Sequence, residues 1–284
     1  MSPFSRTVLA IVMIIGTTAG VVAAGAFIYI SRRAEIVVDE HLCPINAVTK
    51  GHIVVLVDWT DPFTPQQRDA LKDLFNRIKR DIAVHERLSL HLITGDAEKA
   101  GSPLFSFCKP LDPDNINPLI ENERRLRDRW HEKFGKPLDA ALSELMKGSI
   151  APVSPILEAF DVILWSHSFQ GDLPRRQLIV FSDLLQNMPD HSHYKHVPDP
   201  CTIVATPLGR RIKAKDWTNL RVVLHYWRNP QAQHIQGPEH LAFWVQILYL
   251  FGAAEVWHGN RVTLKNESLG CFPSVEPKGK RQAR

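Results

Sequence analysis

The sequence predicts an α/β domain built on a doubly wound, mostly parallel sheet and preceded by one N-terminal transmembrane helix. Three observations carry this expectation. Between His52 and Trp257, short β-branched apolar runs alternate with longer amphipathic stretches, the pattern of strands joined by crossover helices. Two of the runs, HIVVLVD from His52 and QLIVF over 177–181, are apolar almost without interruption, as strands buried on both faces are. Residues 7–30 form a stretch of about 24 residues without a charge, long enough to cross a bilayer core as a helix.

The apolar stretch is closed by Arg6 on one side and by Arg32 and Arg33 on the other. A cleaved signal peptide is the alternative, because Ala24-Gly25-Ala26 has the small-x-small form of a processing site. The run continues through Phe27-Ile28-Tyr29-Ile30, past that site, and no polar face marks it as a core helix. The expected organisation is a short tail (1–6), a membrane helix (7–30), a linker (31–50), one α/β domain (51–272) and a basic, solvated tail (273–284). The domain is of a size that buries a full core. The net charge of +4 is small, and its basic residues are scattered, which gives no nucleic-acid footprint. No glycine-rich phosphate loop is present, so nucleotide binding has no support.

Two signals on sidedness oppose one another. The flanking arginines favour a cytoplasmic domain by the positive-inside rule. Cys43, Cys108, Cys201 and Cys271 are even in number and sit beside turn residues, as disulfides in exported domains do, with connectivity left open. The expectation is an extracytoplasmic (periplasmic) domain, with a cytoplasmic-facing one as the alternative.

The first strand starts at His52 and ends in Asp58. Thr64-Pro65-Gln66-Gln67 then supplies an N-cap, a proline at the first helical position and a capping-box glutamine. Leu71, Leu74, Phe75, Ile78 and Ile82 make that helix's apolar face. A second strand covers 88–94, and residues 97–117 read as a surface excursion carrying Cys108. Next come a charged helix with Leu126, Trp130 and Phe134 as its stripe, a short helix over 138–146 stopped by Gly148, and a helix opening at Ser154-Pro155. The 177–181 strand should be central and runs into Ser182-Asp183. After a loop rich in His, Pro and Asp come a strand from Leu220 to Tyr226, a strongly apolar helix from Pro238 to Phe251, Gly252 as its cap, and a last short strand over 254–257.

Ligands of open α/β sheets sit beyond the carboxyl ends of the central strands. There the sequence places Asp58-Trp59-Thr60-Asp61-Pro62, Ser182-Asp183 and the helix start at Ser154. Two carboxylates and two hydroxyls form a hard-oxygen set suited to Mg²⁺. In these residues the chain resembles the von Willebrand factor A domains. Their metal-ion-dependent adhesion site combines an Asp-x-Ser-x-Ser loop after the first strand, a Thr from a later loop and an Asp in a Ser-Asp-Gly turn after the fourth strand. On that resemblance Asp58 matches the first Asp, Thr60 the first Ser, Ser154 the Thr and Asp183 the later Asp. Pro62 stands where the second Ser would be and offers no ligand, a gap that Asp61, Thr64 or water would fill.

The resemblance implies a Rossmann-like fold from about His52 to Trp257 and a Mg²⁺ or Mn²⁺ ion with one position open to a partner's carboxylate. It implies a binding module rather than an enzyme, docking a protein partner at or near the membrane. The alternative for the same residues is that they only cap helices and turns, since Thr64 and Ser154 each precede a proline. Catalytic motifs are missing: a haloacid-dehalogenase-like site needs a second Asp where Thr60 stands, and no Gly-x-Ser-x-Gly elbow surrounds Ser154. A zinc-dependent hydrolase using Asp183, His191 and His193 is the runner-up, against a plain polar loop. A metal-free scaffold is the third reading.

Overall fold

The computed structural model describes residues 3–33, 36–111, 123–170, 173–264 and Cys271, with the side chains of the first helix described from 12 to 27. The chain divides into two units, residues 1–39 with 44–48, and residues 40–43 with 49–284. In the first unit, helix α1 (Pro3–Arg33) carries apolar residues around its whole circumference. Val12, Met13, Ile14, Ile15, Val21, Val22 and Phe27 are all exposed. Thr17 and Thr18 turn their hydroxyls back to the carbonyls of Met13, Ile14 and Ile15 at 2.9–3.0 Å. Among the described residues no helix is long and apolar enough to cross a membrane. Of the expected span 7–30, only 12–27 has described side chains, short of the roughly 20 residues a bilayer core needs. After α1, Val38 bridges to Pro44, and the Ile45 amide donates to the Val37 carbonyl at 2.8 Å.

The second unit is the α/β domain. Its strands are β1 (His52–Asp58), β2 (Arg87–Ile93), β3 (Phe105–Cys108), β4 (Arg176–Ser182), β5 (Asn187–Met188), β6 (His191–Ser192), β7 (Leu220–Tyr226), β8 (Glu255–His258) and β9 (Arg261–Val262). Seven of them form one sheet in the order β3-β2-β1-β4-β7-β8-β9, and β5 and β6 pair separately. The pairs β2·β1, β1·β4, β4·β7 and β7·β8 are parallel, and the two outermost pairs are antiparallel. The expected central position of the 177–181 run is observed.

Alternation along the strands splits the core in two. Val54, Leu56, Leu178, Val180, Val222 and Leu224 face α5 (Ile156–Trp165), α7 (Pro207–Lys213) and α8 (Pro238–Phe251). Ile53, Val55, Val57, Ile179, Phe181 and Val223 face α2 (Pro65–Asp81) and α4 (Lys136–Leu145). This is a doubly wound α/β sheet compatible with a Rossmann-like fold. Gly252 closes α8 at φ 124°, and a Cβ there would stand 3.2 Å from Trp217.

Four features depart from the expectation. The stretch expected as a surface excursion contains a 3-10 turn (Ala97–Gly101) and the edge strand β3, while its last residues, 112–117, lie outside the described residues. Four residues, FSFC, are too short a run to stand out from turn-rich neighbours. The charged helix and its short successor are not separate. Helix α3 (Glu123–Trp130) passes through a π-helical turn (His131–Gly135) straight into α4. The wider turn lies just ahead of Pro137, which has no N–H for the regular ladder. The His-rich loop holds the β5–β6 hairpin and, further on, α6 (Pro200–Val204) and α7. Asp199 and Thr206 cap these helices ahead of prolines, the same signature as Thr64-Pro65. Finally, Ser154 does not cap α5.

Cys43 is bonded to Cys108 and Cys201 to Cys271, and no described cysteine is free. The first pair ties residues 40–43 to β3. The expected basic tail, 273–284, lies outside the described residues.

The N-terminus of α2 forms as its sequence dictates: the Thr64 hydroxyl accepts from the Gln67 amide at 3.3 Å, and Gln67 Oε1 accepts from the Thr64 amide at 2.7 Å. Thr64→Ala should therefore lower unfolding free energy by about 1 kcal/mol, read as a shifted urea midpoint at unchanged slope. An unchanged midpoint would show that the cap carries no weight.

Candidate functional site at the carboxyl edge of the sheet

The strand order reverses between β1 and β4, and at such a switch point the loops diverge to leave a crevice. Asp58, the last residue of β1, stands at its floor. One carboxylate oxygen, Oδ1, accepts from the Thr60 hydroxyl at 2.7 Å and from the Thr60 amide at 3.2 Å. The other, Oδ2, accepts from the Ser182 hydroxyl at 2.7 Å and the Ser154 hydroxyl at 3.4 Å. Asp58, Thr60, Ser154, Ser182 and Asp183 are all buried. The structure thus brings together Asp58, Thr60 and Ser154, which lie on three separate stretches of chain with Ser182.

Ser154 reaches Asp58 because another residue caps its helix. Its backbone forms a two-way bridge to Asn187, at 2.9 Å in each direction. The buried side chain of Gln186 accepts from the Leu157 amide at 2.9 Å and donates to Glu158 at 2.9 Å, satisfying the start of α5. The capping alternative therefore describes Thr64 correctly and Ser154 incorrectly.

Asp183 sits in a turn where three hydrogen bonds hold its own atoms. Its Oδ1 accepts from the Leu185 amide at 3.0 Å and its Oδ2 from Asn229 at 3.1 Å, while its carbonyl accepts from Gln236 at 2.8 Å. Leu184 adopts the left-handed region at φ 58°, uncommon for a residue with a Cβ. Its amide donates to Ser182 Oγ at 2.7 Å, and its carbonyl accepts from the Trp244 indole at 2.8 Å. Ser182 accordingly links the two acids: it donates to Asp58 and accepts from the Asp183 turn.

Burial pushes the Asp58 carboxyl up, against the lowering effect of its Thr60 and Ser182 hydrogen bonds. Asp183 is pushed up to about 7, first by burial and then by the charge of Asp58. Asp61 is raised by burial. Two acids that oppose one another's ionisation suit a divalent cation, which offsets both charges. The hydroxyls fit the same role, because a hydroxyl that donates its hydrogen to a carboxylate keeps two lone pairs for a hard ion. Thr64 spends its hydroxyl on the helix cap. Asp61, Pro62 and Thr64 line the cleft above Asp58 and Asp183, a space of about 270 Å³.

The His191 and His193 rings lie 5.2 Å apart, but they do not assemble with Asp183. His193 Nδ1 faces His240 Nε2 at 2.9 Å, and His240 Nδ1 faces the Tyr226 hydroxyl at 2.8 Å, under Phe243 and Trp244. Among the described residues no group of three or more His, Cys, Asp or Glu side chains is placed to hold a metal. Sequence reasoning placed Ser182 at the ligand edge without giving it a role, and did not single out Gln186, Asn229 or Gln236. Asn229 lies just past the end of β7, so the strand-end rule applied to that strand as well would have reached it. Gln186 and Gln236 leave no local signal.

Burial lowers His193 to about 3 and His240 to about 4 from 6.5, with the neighbouring His240 and His191 adding to the effect on His193. The unfolded chain therefore binds protons near pH 6.5 that the folded chain refuses, so stability present above that pH is lost as pH falls towards 4. The melting temperature should drop over this interval, and a chain with His193 and His240 both replaced by Gln should lose less. Equal losses would exclude the pair as the cause. Neither a protein-family model nor a curated protein matches the chain.

Proposed function

We propose that this protein is a membrane-tethered protein-interaction module of von Willebrand A type, docking its partner at the crevice between β1 and β4 through a divalent cation. The observation that carries the proposal is the convergence of three hydroxyls on Asp58 beside a second buried acid, Asp183, at the floor of an open cleft. Asp58, Thr60, Ser154 and Asp183 would hold Mg²⁺ or Mn²⁺, with Asp61 near the cleft mouth. The ion's remaining position would take a carboxylate oxygen from the partner. Such an arrangement would bind rather than catalyse, its hydroxyls serving as ligands beside the two carboxylates. The zinc-hydrolase reading has no support from the orientation of His193.

The tether is supported by the composition of α1. Its large apolar side chains between residues 12 and 27 are exposed, and its central threonines satisfy their hydroxyls within the helix, as a lipid environment demands. An oxidising, extracytoplasmic location is supported by the two disulfides. With a linker of about 20 residues between the expected span and β1, the partner belongs at or near the membrane.

Millimolar Mg²⁺ should raise the melting temperature of the full-length protein in detergent by several degrees, and chelator should reverse the rise. Asp58→Asn, which keeps the shape of the side chain, should abolish it. Identical melting curves with and without chelator would leave a metal-free scaffold. For sidedness, an impermeant thiol reagent on intact cells should label the protein only after reduction. Labelling that requires lysis and no reductant would place the domain in the cytoplasm.

A further inference from the structure

The cleft is larger than an ion needs. A water occupies about 30 Å³ of liquid volume, so an ion with a few waters at the carboxylates fills a minor part of about 270 Å³. What remains is walled by aromatic and proline side chains. Phe63, from the loop after β1, meets the Trp227 ring edge-on at 6.1 Å, and Trp227 packs on Phe181 at 4.3 Å. Pro62 and Pro230 extend the apolar wall from opposite loops, and the amides of Gln67, Asn229 and Gln231 lie among the lining groups. Trp227 is fixed by its backbone, its amide donating to the Ser182 carbonyl at 3.3 Å and its carbonyl accepting from Gln236 at 3.0 Å. A rigid aromatic surface beside a few directed polar groups is what anchors one large side chain of a partner. Pro62, which removes a metal ligand, adds apolar surface in the same position.

We infer that this cleft takes a bulky apolar side chain of the partner, adjacent in its chain to the carboxylate that reaches the ion. The inference rests on the docking reading above. With the ion offsetting Asp58 and Asp183, the floor favours an acid over a base, and the aromatic wall selects the acid's neighbour. The motif recognised is then Asp or Glu within two residues of Phe, Tyr, Trp, Leu or Ile.

The test is panning of a displayed random heptapeptide library against the full-length protein in nanodiscs with Mg²⁺. Enriched peptides should carry that motif. Trp227→Ala, and separately Pro230→Glu at an exposed position of the wall, should remove the apolar preference while leaving the acidic one. Chelator or Asp58→Asn should remove the acidic preference. Enrichment of acidic residues without an apolar neighbour would overturn the pocket inference and leave the docking reading standing. Enrichment of Lys or Arg, enrichment indifferent to chelator, or no enrichment at all would overturn both.

Discussion

One buried carboxylate organises the carboxyl edge of the sheet. Asp58 lies at the end of the most apolar part of β1, where an unsatisfied charge would be costly. It is tolerated because hydroxyls from three places in the chain point at it: Thr60 beyond its own strand, Ser154 ahead of α5 and Ser182 at the end of β4. Each hydroxyl demands its own local solution. Ser154 requires the bridge to Asn187 and a substitute cap from Gln186. Ser182 requires the left-handed Leu184, which in turn requires the indole of Trp244. Removing any of these supports would release a donor from the carboxylate and expose the cost of burying it.

The second acid sharpens that constraint. Asp183 brings a further carboxylate into the same low-dielectric space, and the two raise one another's proton affinity. Proteins rarely retain such a pair for stability, because replacing one member with a neutral group relieves the repulsion. Four directed contacts hold Asp58 and three hold Asp183, and a pair so fixed is what the proposed divalent cation would require.

The sheet was legible because its strands are apolar for a physical reason, burial on both faces, that leaves a plain mark in the sequence. Helix α2 was legible because Thr64, Pro65 and Gln67 act locally. Asp58, Thr60, Ser154 and Asp183 could be singled out because strand ends are where a parallel sheet exposes its ligand edge. What escaped depends on distant partners. Nothing near Gln186 indicates that it caps a helix some 30 residues earlier in the chain, and nothing near Ser154 indicates that its hydroxyl is freed by that act. The strand β3 escaped for a different reason: its pairing with β2 is set by tertiary packing rather than by a pattern of four residues. The helices α6 and α7 escaped through their shortness, although their caps follow the rule that identified α2.

The segment around Cys43 has an effect beyond cross-linking. The outer side of β3 would present unpaired amides and carbonyls, a template on which another chain can add a strand. Here the Cys108 amide is occupied by the His41 carbonyl at 2.9 Å, and the disulfide to Cys43 holds that segment alongside the strand. Oxidation therefore fastens the cover on this margin of the sheet. In a reducing compartment the covering segment would lose its covalent tie while keeping the backbone bond to Cys108 and the contact between the His41 and Phe107 rings, and the edge would be less firmly covered against strand addition. The redox state of its surroundings thus bears on its solubility as well as on its stability.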